Sequence, residues 1–392
     1  MLPRGKVGGI VGLGVQAMSV DRRSVLAGVG ATVMLAGTAR AALPPFRIPI
    51  TLTDTRVLVD CMIGDHGPYR FVFDTGGTIG LIQLALAQQL KLKSLGAASL
   101  ALQQGRRAYP IFEVPDLSFG GQVRQPLSVI AGVDSVNFRD GAVGSIAAGA
   151  LTAGDCDLDF ETGEWRIYRD GAPDRSGWTR YDRGIFHQGN LNGSAFIAAD
   201  ANLGGRSFRF GLDTGMPSAM HIYRKTAEAA GLWNAPRWSP AAPGGKGRMV
   251  RASLDLAGET LPDIIVTILE QPEWSVFPDG VIGLPILRRF TLGAAARDRT
   301  LFLKRNALAP LPGRYNRAGL WIDRAGADAK IVVVGPGSPA ARAGLVAGDR
   351  LRGVAFDDLI DRMFEPAGHD IALTVDGAGG RRAVTLRLED FL

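Results

Sequence analysis

Long runs of like charge are missing from this 392-residue chain, and so is any apolar run of the roughly twenty residues that a bilayer span needs. The formal balance is +6, but the basic residues come singly or in pairs such as Arg106-Arg107 and Arg288-Arg289. A nucleic-acid footprint gathers its basic residues on one face, so nucleic acid is not expected as a partner. Histidine is scarce: His66, His187, His221 and His369 lie too far apart for metal-ligand spacing, and no metal is expected. There is no Gly-x-Ser-x-Gly elbow, no His-Glu-x-x-His and no phosphate-binding Gly-x-x-x-x-Gly-Lys-Ser/Thr, which sets aside three large classes of hydrolase and nucleotide enzyme. Two cysteines, Cys61 and Cys156, are too few for a disulfide framework. In an oxidising compartment they form one bridge; otherwise they remain two buried free thiols.

What is present is ordinary globular material, 46% apolar and 21% charged, long enough for two or three domains. Its 52 glycines and 22 prolines suit many short strands joined by tight turns. Residues 1–41 read as a targeting signal. Arg22-Arg23 opens a mild apolar stretch that ends in Ala39-Arg40-Ala41, a small-x-small cleavage site of the twin-arginine type. The expected location is the periplasm or elsewhere in the cell envelope, with no stable membrane span after cleavage.

The chain then repeats itself. Phe71-Val72-Phe73-Asp74-Thr75-Gly76 is echoed by Phe210-Gly211-Leu212-Asp213-Thr214-Gly215, each after a strand-like apolar run. Asp140-Gly141-Ala142-Val143-Gly144 is matched by Asp279-Gly280-Val281-Ile282-Gly283. Asp74 to Asp140 and Asp213 to Asp279 both span 66 residues (140 − 74 and 279 − 213). One Asp-Thr-Gly is a common strand-end turn; two at matched spacing indicate duplication. A helix follows each triplet, over Gln83–Leu90 and Tyr223–Ala230, and the glycine-rich loop Pro240–Gly247 is placed over a cleft between the lobes. Asp140 and Asp279 are read as turn caps.

A carboxylate at the end of a buried strand, in a Thr-Gly turn, is half of a catalytic pair. Two such halves across a two-fold axis bring the carboxyls together, where like charges cannot both ionise and one keeps its proton. The charged member takes a proton from water while the protonated one polarises a carbonyl.

With these residues the chain resembles the pepsin and retropepsin superfamily of aspartic peptidases, most closely its bacterial exported branch with two lobes in one chain. The resemblance covers residues 46–306. It implies a mainly β fold of two pseudo-symmetric retropepsin-like β-barrel lobes, here 42–172 and 173–308. It also implies protein or peptide substrates, no cofactor, catalytic Asp74 and Asp213, and Thr75, Gly76, Thr214 and Gly215 as support. The sequence departs from the family pattern at Gly77 and Met216, where Ala or Ser is usual, and Tyr109 is the candidate flap tyrosine. An inactive or weakly active peptidase-like scaffold that binds peptides is the alternative.

After the linker Ala309-Pro310-Leu311-Pro312-Gly313, residues 309–392 form a further small α+β domain. Gly337-Ser338-Pro339-Ala340, Gly344-Leu345 and Gly348-Asp349 resemble a bacterial PDZ domain. That resemblance places Arg317, Ala318, Gly319 and Leu320 at a peptide C-terminus, with Met363 and Phe364 along the groove.

Overall fold

The computed structural model describes residues 43–102, 105–134, 136, 138–187, 193–272 and 275–392. The targeting reading of 1–41 lies outside them. Pro44–Leu392 forms one compact unit, in which no described helix is long and apolar enough to cross a membrane.

The first lobe opens with β1 (Phe46–Leu52), β2 (Val57–Ile63) and β3 (His66–Phe73), followed by β4 (Gly80–Gln83) and the short helix α1 (Leu84–Gln89). A long hairpin of β5 (Lys93–Leu102) and β6 (Gly105–Phe119) comes next, then β7 (Val123–Val133), β8 (Gly144–Ile146) and the one-turn α2 (Gly149–Thr152). β9 (Cys156–Asp159) and β10 (Glu164–Ile167) close the lobe.

The second lobe runs through β11 (Thr179–Tyr181), β12 (Ile185–Phe186), β13 (Phe196–Leu203), β14 (Arg206–Asp213), β15 (Met220–Tyr223) and α3 (Arg224–Ala229). β16 (Ser239–Pro240), β17 (Arg248–Leu256), β18 (Glu259–Leu269), β19 (Gly280–Gly283) and α4 (Leu284–Leu287) follow, and β20 (Phe290–Ala295) and β21 (Thr300–Arg305) end it.

Strand pairing repeats from lobe to lobe. β3 runs parallel to β8, and β14 parallel to β19; β4 and β15 then lie antiparallel to β8 and β19. A strand with neighbours on both edges and both faces covered must be apolar throughout. Phe71, Val72, Phe73, Phe210 and Leu212 are all buried, so the two aspartates are delivered at the ends of fixed, dry strands. The lobes share the antiparallel order β11-β21-β20-β9-β10-β1, with Leu158 opposite Leu292 and Cys156 opposite Ala294 at the join. Beneath that join Arg175 and Asp157, both buried, pair at 2.8 Å, and Tyr168 donates to the same carboxylate at 2.6 Å.

The C-terminal domain has its own apolar core. Its five-stranded antiparallel sheet comprises β22 (Leu320–Ala325), β23 (Asp328–Val334), β24 (Arg350–Arg352), β25 (Asp370–Gly377) and β26 (Gly380–Arg387), paired in that order. Ser338 caps α5 (Pro339–Arg342) by accepting the Ala341 N–H, with Pro339 at the first helical position where its missing N–H costs nothing. α6 (Phe356–Met363) carries Asp357 and Asp358 in its first turn and Arg362 in its last, which suits the helix dipole.

The loop Pro240–Gly247 does not stand over a cleft alone. It joins β16 to β17 and packs on the C-terminal domain: a Cβ at Gly245 would lie 3.7 Å from Val333 Cγ1, and just before the loop Ser239 donates to Asn316 O at 2.7 Å.

The cysteines resolve to the free-thiol alternative rather than the bridge. Both are buried and unpaired, Cys61 Sγ near the O of its cross-strand neighbour Tyr69 at 3.6 Å and Cys156 Sγ near Leu151 O at 3.1 Å.

Candidate active site

Asp74 follows β3 and Asp213 ends β14, and the pseudo-two-fold brings their carboxyls within hydrogen-bonding reach of each other. The frame beneath them is a crossed pair of threonines, both fully buried. Thr75 Oγ1 donates to Leu212 O at 2.7 Å and accepts the Thr214 N–H at 3.0 Å. In return Thr214 Oγ1 donates to Phe73 O and accepts the Thr75 N–H at 3.2 Å. Each hydroxyl thus satisfies one donor and one acceptor of the opposite lobe, groups that would otherwise be stranded away from water.

The glycines are set by close approach. A Cβ on Gly76 would lie 2.4 Å from Asp213 Cγ, and one on Gly215 would lie 2.7 Å from Asp74 Cγ. Their amides also orient the carboxylates: Gly76 N–H donates to Asp74 Oδ1 at 3.0 Å and Gly215 N–H to Asp213 Oδ1 at 2.7 Å. Burial raises the proton affinity of Asp74. Burial, and then the charge of Asp74, holds Asp213 well above the ordinary carboxylate range. One proton shared between two sunken carboxyls is the state this geometry favours.

The second half of the repeat needs correction. Phe73 pairs with Ile146, whereas Leu212, its equivalent, pairs with Ile282. Ala148 N–H donates to Gly77 O at 2.9 Å as Leu284 N–H does to Met216 O at 2.9 Å. Gly144 is therefore the counterpart of Gly280, not of Gly283, and Ala147 stands where the second lobe has Gly283. The equal spacing of Asp140 and Asp279 is a coincidence of loop lengths. Each still anchors a turn: Asp140 Oδ2 accepts from Thr53 and Thr55 at 3.0 Å each, and Asp279 Oδ2 from the Arg209 N–H at 3.0 Å.

Tyr109 sits on β6, buried in the small cluster with Leu58, Val72 and Leu81, its hydroxyl without a hydrogen-bond partner among the described residues. In the C-terminal domain Ala318, Leu320 and Met363 belong to the core, and Phe364 packs against that core half-buried. Arg317 N–H is bonded to Met363 O at 2.8 Å, and its guanidinium to Asp390 at 2.7 Å. Gly319 N–H donates to Asn316 Oδ1 at 3.0 Å.

Sequence reasoning missed Arg56 and Arg288. Arg288 of the second lobe pairs with Asp54 of the first at 3.1 Å, and Arg56 reaches Gly215 O of the second lobe at 3.2 Å. Neither belongs to a recognisable motif. Among the described residues no group of three or more His, Cys, Asp or Glu stands in a metal-holding arrangement.

The aspartyl protease family profile matches residues 59–145, from β2 through the start of β8 and including Asp74. Among solved structures the chain is similar to the aspartic proteinase from Irpex lacteus, at 13% identity and a TM-score of 0.44, over 67% of this chain and 98% of that one. No curated protein matches the chain. The profile match lies within the first lobe, whose strand pairing the second lobe repeats.

Proposed function

We propose that the chain is an exported aspartic endopeptidase, with a C-terminal PDZ-type domain that holds protein or peptide chain ends. The observation that carries the enzymatic part is the contact between the Asp74 and Asp213 carboxyls over the crossed threonines. A binding scaffold has no use for two buried like charges, whose apposition is unfavourable unless a proton is shared.

In the reaction the ionised carboxyl removes a proton from a water lying between the pair, and the water oxygen bonds to the scissile carbonyl carbon. The other carboxyl gives its proton to the carbonyl oxygen, so a gem-diol forms and the pair again holds one proton. Collapse reverses the roles. The newly protonated carboxyl protonates the leaving nitrogen as the C–N bond breaks, and its partner recovers a proton from a gem-diol hydroxyl. Both carboxyls do equivalent work, which suits a site built from two copies of one motif.

Hydrolysis of an unfolded protein substrate across pH tests this. Wild type cleaves with an acidic optimum and is unaffected by chelators. Asp74→Asn and Asp213→Asn each lose at least about a thousandfold, since each removes the one base or the one acid. Wild-type turnover in either variant would leave the scaffold reading in its place.

Two further parts rest on their own support. Export is supported by Arg22-Arg23 and Ala39-Arg40-Ala41; Arg22→Lys with Arg23→Lys leaves precursor in the cytoplasm. Peptide binding is supported by β22, an edge strand beside the turn Asn316–Gly319. Amidating a peptide's C-terminus weakens binding if its carboxylate is held beside this turn.

A further inference from the structure

The dyad is symmetric in its motifs but not in its charges. Between β1 and β2 the turn Thr53–Arg56 is tightly determined: Thr53 N–H donates to Arg56 O at 2.9 Å, and Thr53 Oγ1 accepts the Arg56 N–H at 2.9 Å. Asp140 fixes the turn through both threonine hydroxyls. The guanidinium it presents is held by three carbonyl oxygens: Phe138 O at 3.2 Å, Thr55 O at 2.8 Å and Gly215 O at 3.2 Å. Among the described residues it has no carboxylate at ion-pair distance, so its charge is not cancelled by direct contact. Gly215 lies against both carboxyls and nearer to that of Asp74: a Cβ there would be 2.7 Å from Asp74 Oδ1 and 3.1 Å from Asp213 Oδ1. The cation therefore stands one residue's thickness from Asp74.

Among the described residues the second lobe has nothing equivalent. Leu58 lies opposite Val72, two residues before Asp74, and Ala198 lies opposite Gly211, two residues before Asp213. Counting back two positions, the counterpart of Arg56 is Phe196. That side chain is buried in an aromatic cluster with Phe186 and Phe277, ring centroids 6.0 and 5.2 Å away.

We propose that Arg56 is a positioning residue that keeps the dyad's single negative charge on Asp74 and its proton on Asp213. Asp74 is then the base that takes the proton from water in the first step, and Asp213 the acid that protonates the carbonyl oxygen. This assignment rests on the shared-proton dyad proposed above. The other charged groups facing Arg56 are Arg139, which opposes it, and Asp140, which favours it; Asp74 and Asp213 attract it as well. Burial resists ionisation of both carboxyls, but beyond burial they differ in the expected sense: Arg56 eases the ionisation of Asp74, whereas the charge of Asp74 further resists that of Asp213.

The experiment has two arms on the full chain. The first is a carboxyl-carbon NMR titration of protein labelled at aspartate, assigned with Asp74→Asn and Asp213→Asn. The expected result is that Asp74 ionises first in wild type; Asp213 ionising first overturns the proposal. This arm needs no catalysis, so an inactive wild type that titrates as expected counts against the peptidase reading and not against the role of Arg56. The second arm is the pH profile of kcat/KM for Arg56→Gln and Arg56→Lys. Removing the cation moves the acid limb upward by about one pH unit, a tenfold change in proton affinity, with KM little changed. Lysine, which keeps the charge but not the fork, restores at least half of that shift. An acid limb that stays in place in a folded, active Arg56→Gln enzyme also overturns the proposal. If Arg56→Gln fails to fold, the wild-type titration still decides.

Discussion

Replacing Gly76 with alanine puts a methyl group where the partner carboxyl already stands. The new Cβ would lie 2.4 Å from both Cγ and Oδ2 of Asp213. Non-bonded carbons rest about 3.5–4.0 Å apart, so the Asp213 carboxyl or the Gly76 backbone must give way by about 1 Å. Neither is free to do so without disturbing the dyad, because Gly76 N–H orients Asp74 and the adjacent Thr75 is locked into the threonine cross. The backbone at Gly76 lies outside the left-handed region, so alanine brings no torsional strain and the collision is the whole effect. A misplacement of about 1 Å in a catalytic group lowers kcat by about a hundredfold. Gly77→Ala is the control: its Cβ would meet Asp74 Oδ2 at 3.4 Å and Cγ at 3.6 Å, near ordinary contact, and kcat should stay within about threefold of wild type. Turnover of a fluorogenic peptide, with a thermal melt to confirm folding, reads both variants. If Gly76→Ala keeps more than about a third of wild-type kcat, or Gly77→Ala falls as far as Gly76→Ala, cross-lobe contact is not what fixes the dyad.

The raised proton affinity of the dyad also governs stability, with a definite sign. In the window above the ordinary carboxylate range of about 4, the folded state holds a proton that the unfolded chain has released, so stability falls as pH rises. Asp213→Asn removes that proton and should flatten the decline in urea-denaturation midpoints between mildly acidic and neutral pH; an unchanged slope would show that the dyad is not its source. Burial pushes both thiols up to about 12. Neither Cys61 nor Cys156 should react with a thiol reagent at pH 8 until the chain is unfolded, when both label; fast native labelling, or no labelling at all without reductant, refutes the free-thiol assignment. Arg175→Met strips Asp157, 3% exposed, of its cation beneath the lobe join. Leaving that carboxylate buried and unpaired costs about 3–5 kcal/mol, read as a lower denaturation midpoint, and a change below about 1 kcal/mol would mean that Tyr168 alone suffices.

The catalytic half of this architecture was legible because its chemistry is local. Asp-Thr-Gly carries the carboxylate, the hydroxyl for the cross and the glycine for close approach in three consecutive residues, twice over. The helices α1 and α3 were legible for the same reason, each within a residue of its expected ends. The second repeat element misled because the first lobe lacks its closing glycine. Ala147 fills that place, so the pattern slid back onto Gly144, and only pairing with β3 fixes the true register. Arg56 was invisible for a related reason: nothing near it in sequence marks it, and its significance lies in a carbonyl 159 positions away. The thiols could not be settled either, since two cysteines in separate strands bond or not according to a distance that sequence does not contain.

The seating of β16 on the C-terminal domain makes the two lobes mechanically unequal. The hairpin of β5 and β6 in the first lobe is long and pairs only with strands of its own lobe. Its short counterpart, β16 with the start of β17, is fastened elsewhere: Ser239 to Asn316 O at 2.7 Å and Arg251 to Leu392 O at 2.8 Å. A force applied to the C-terminal domain is therefore passed to the rim of the second lobe.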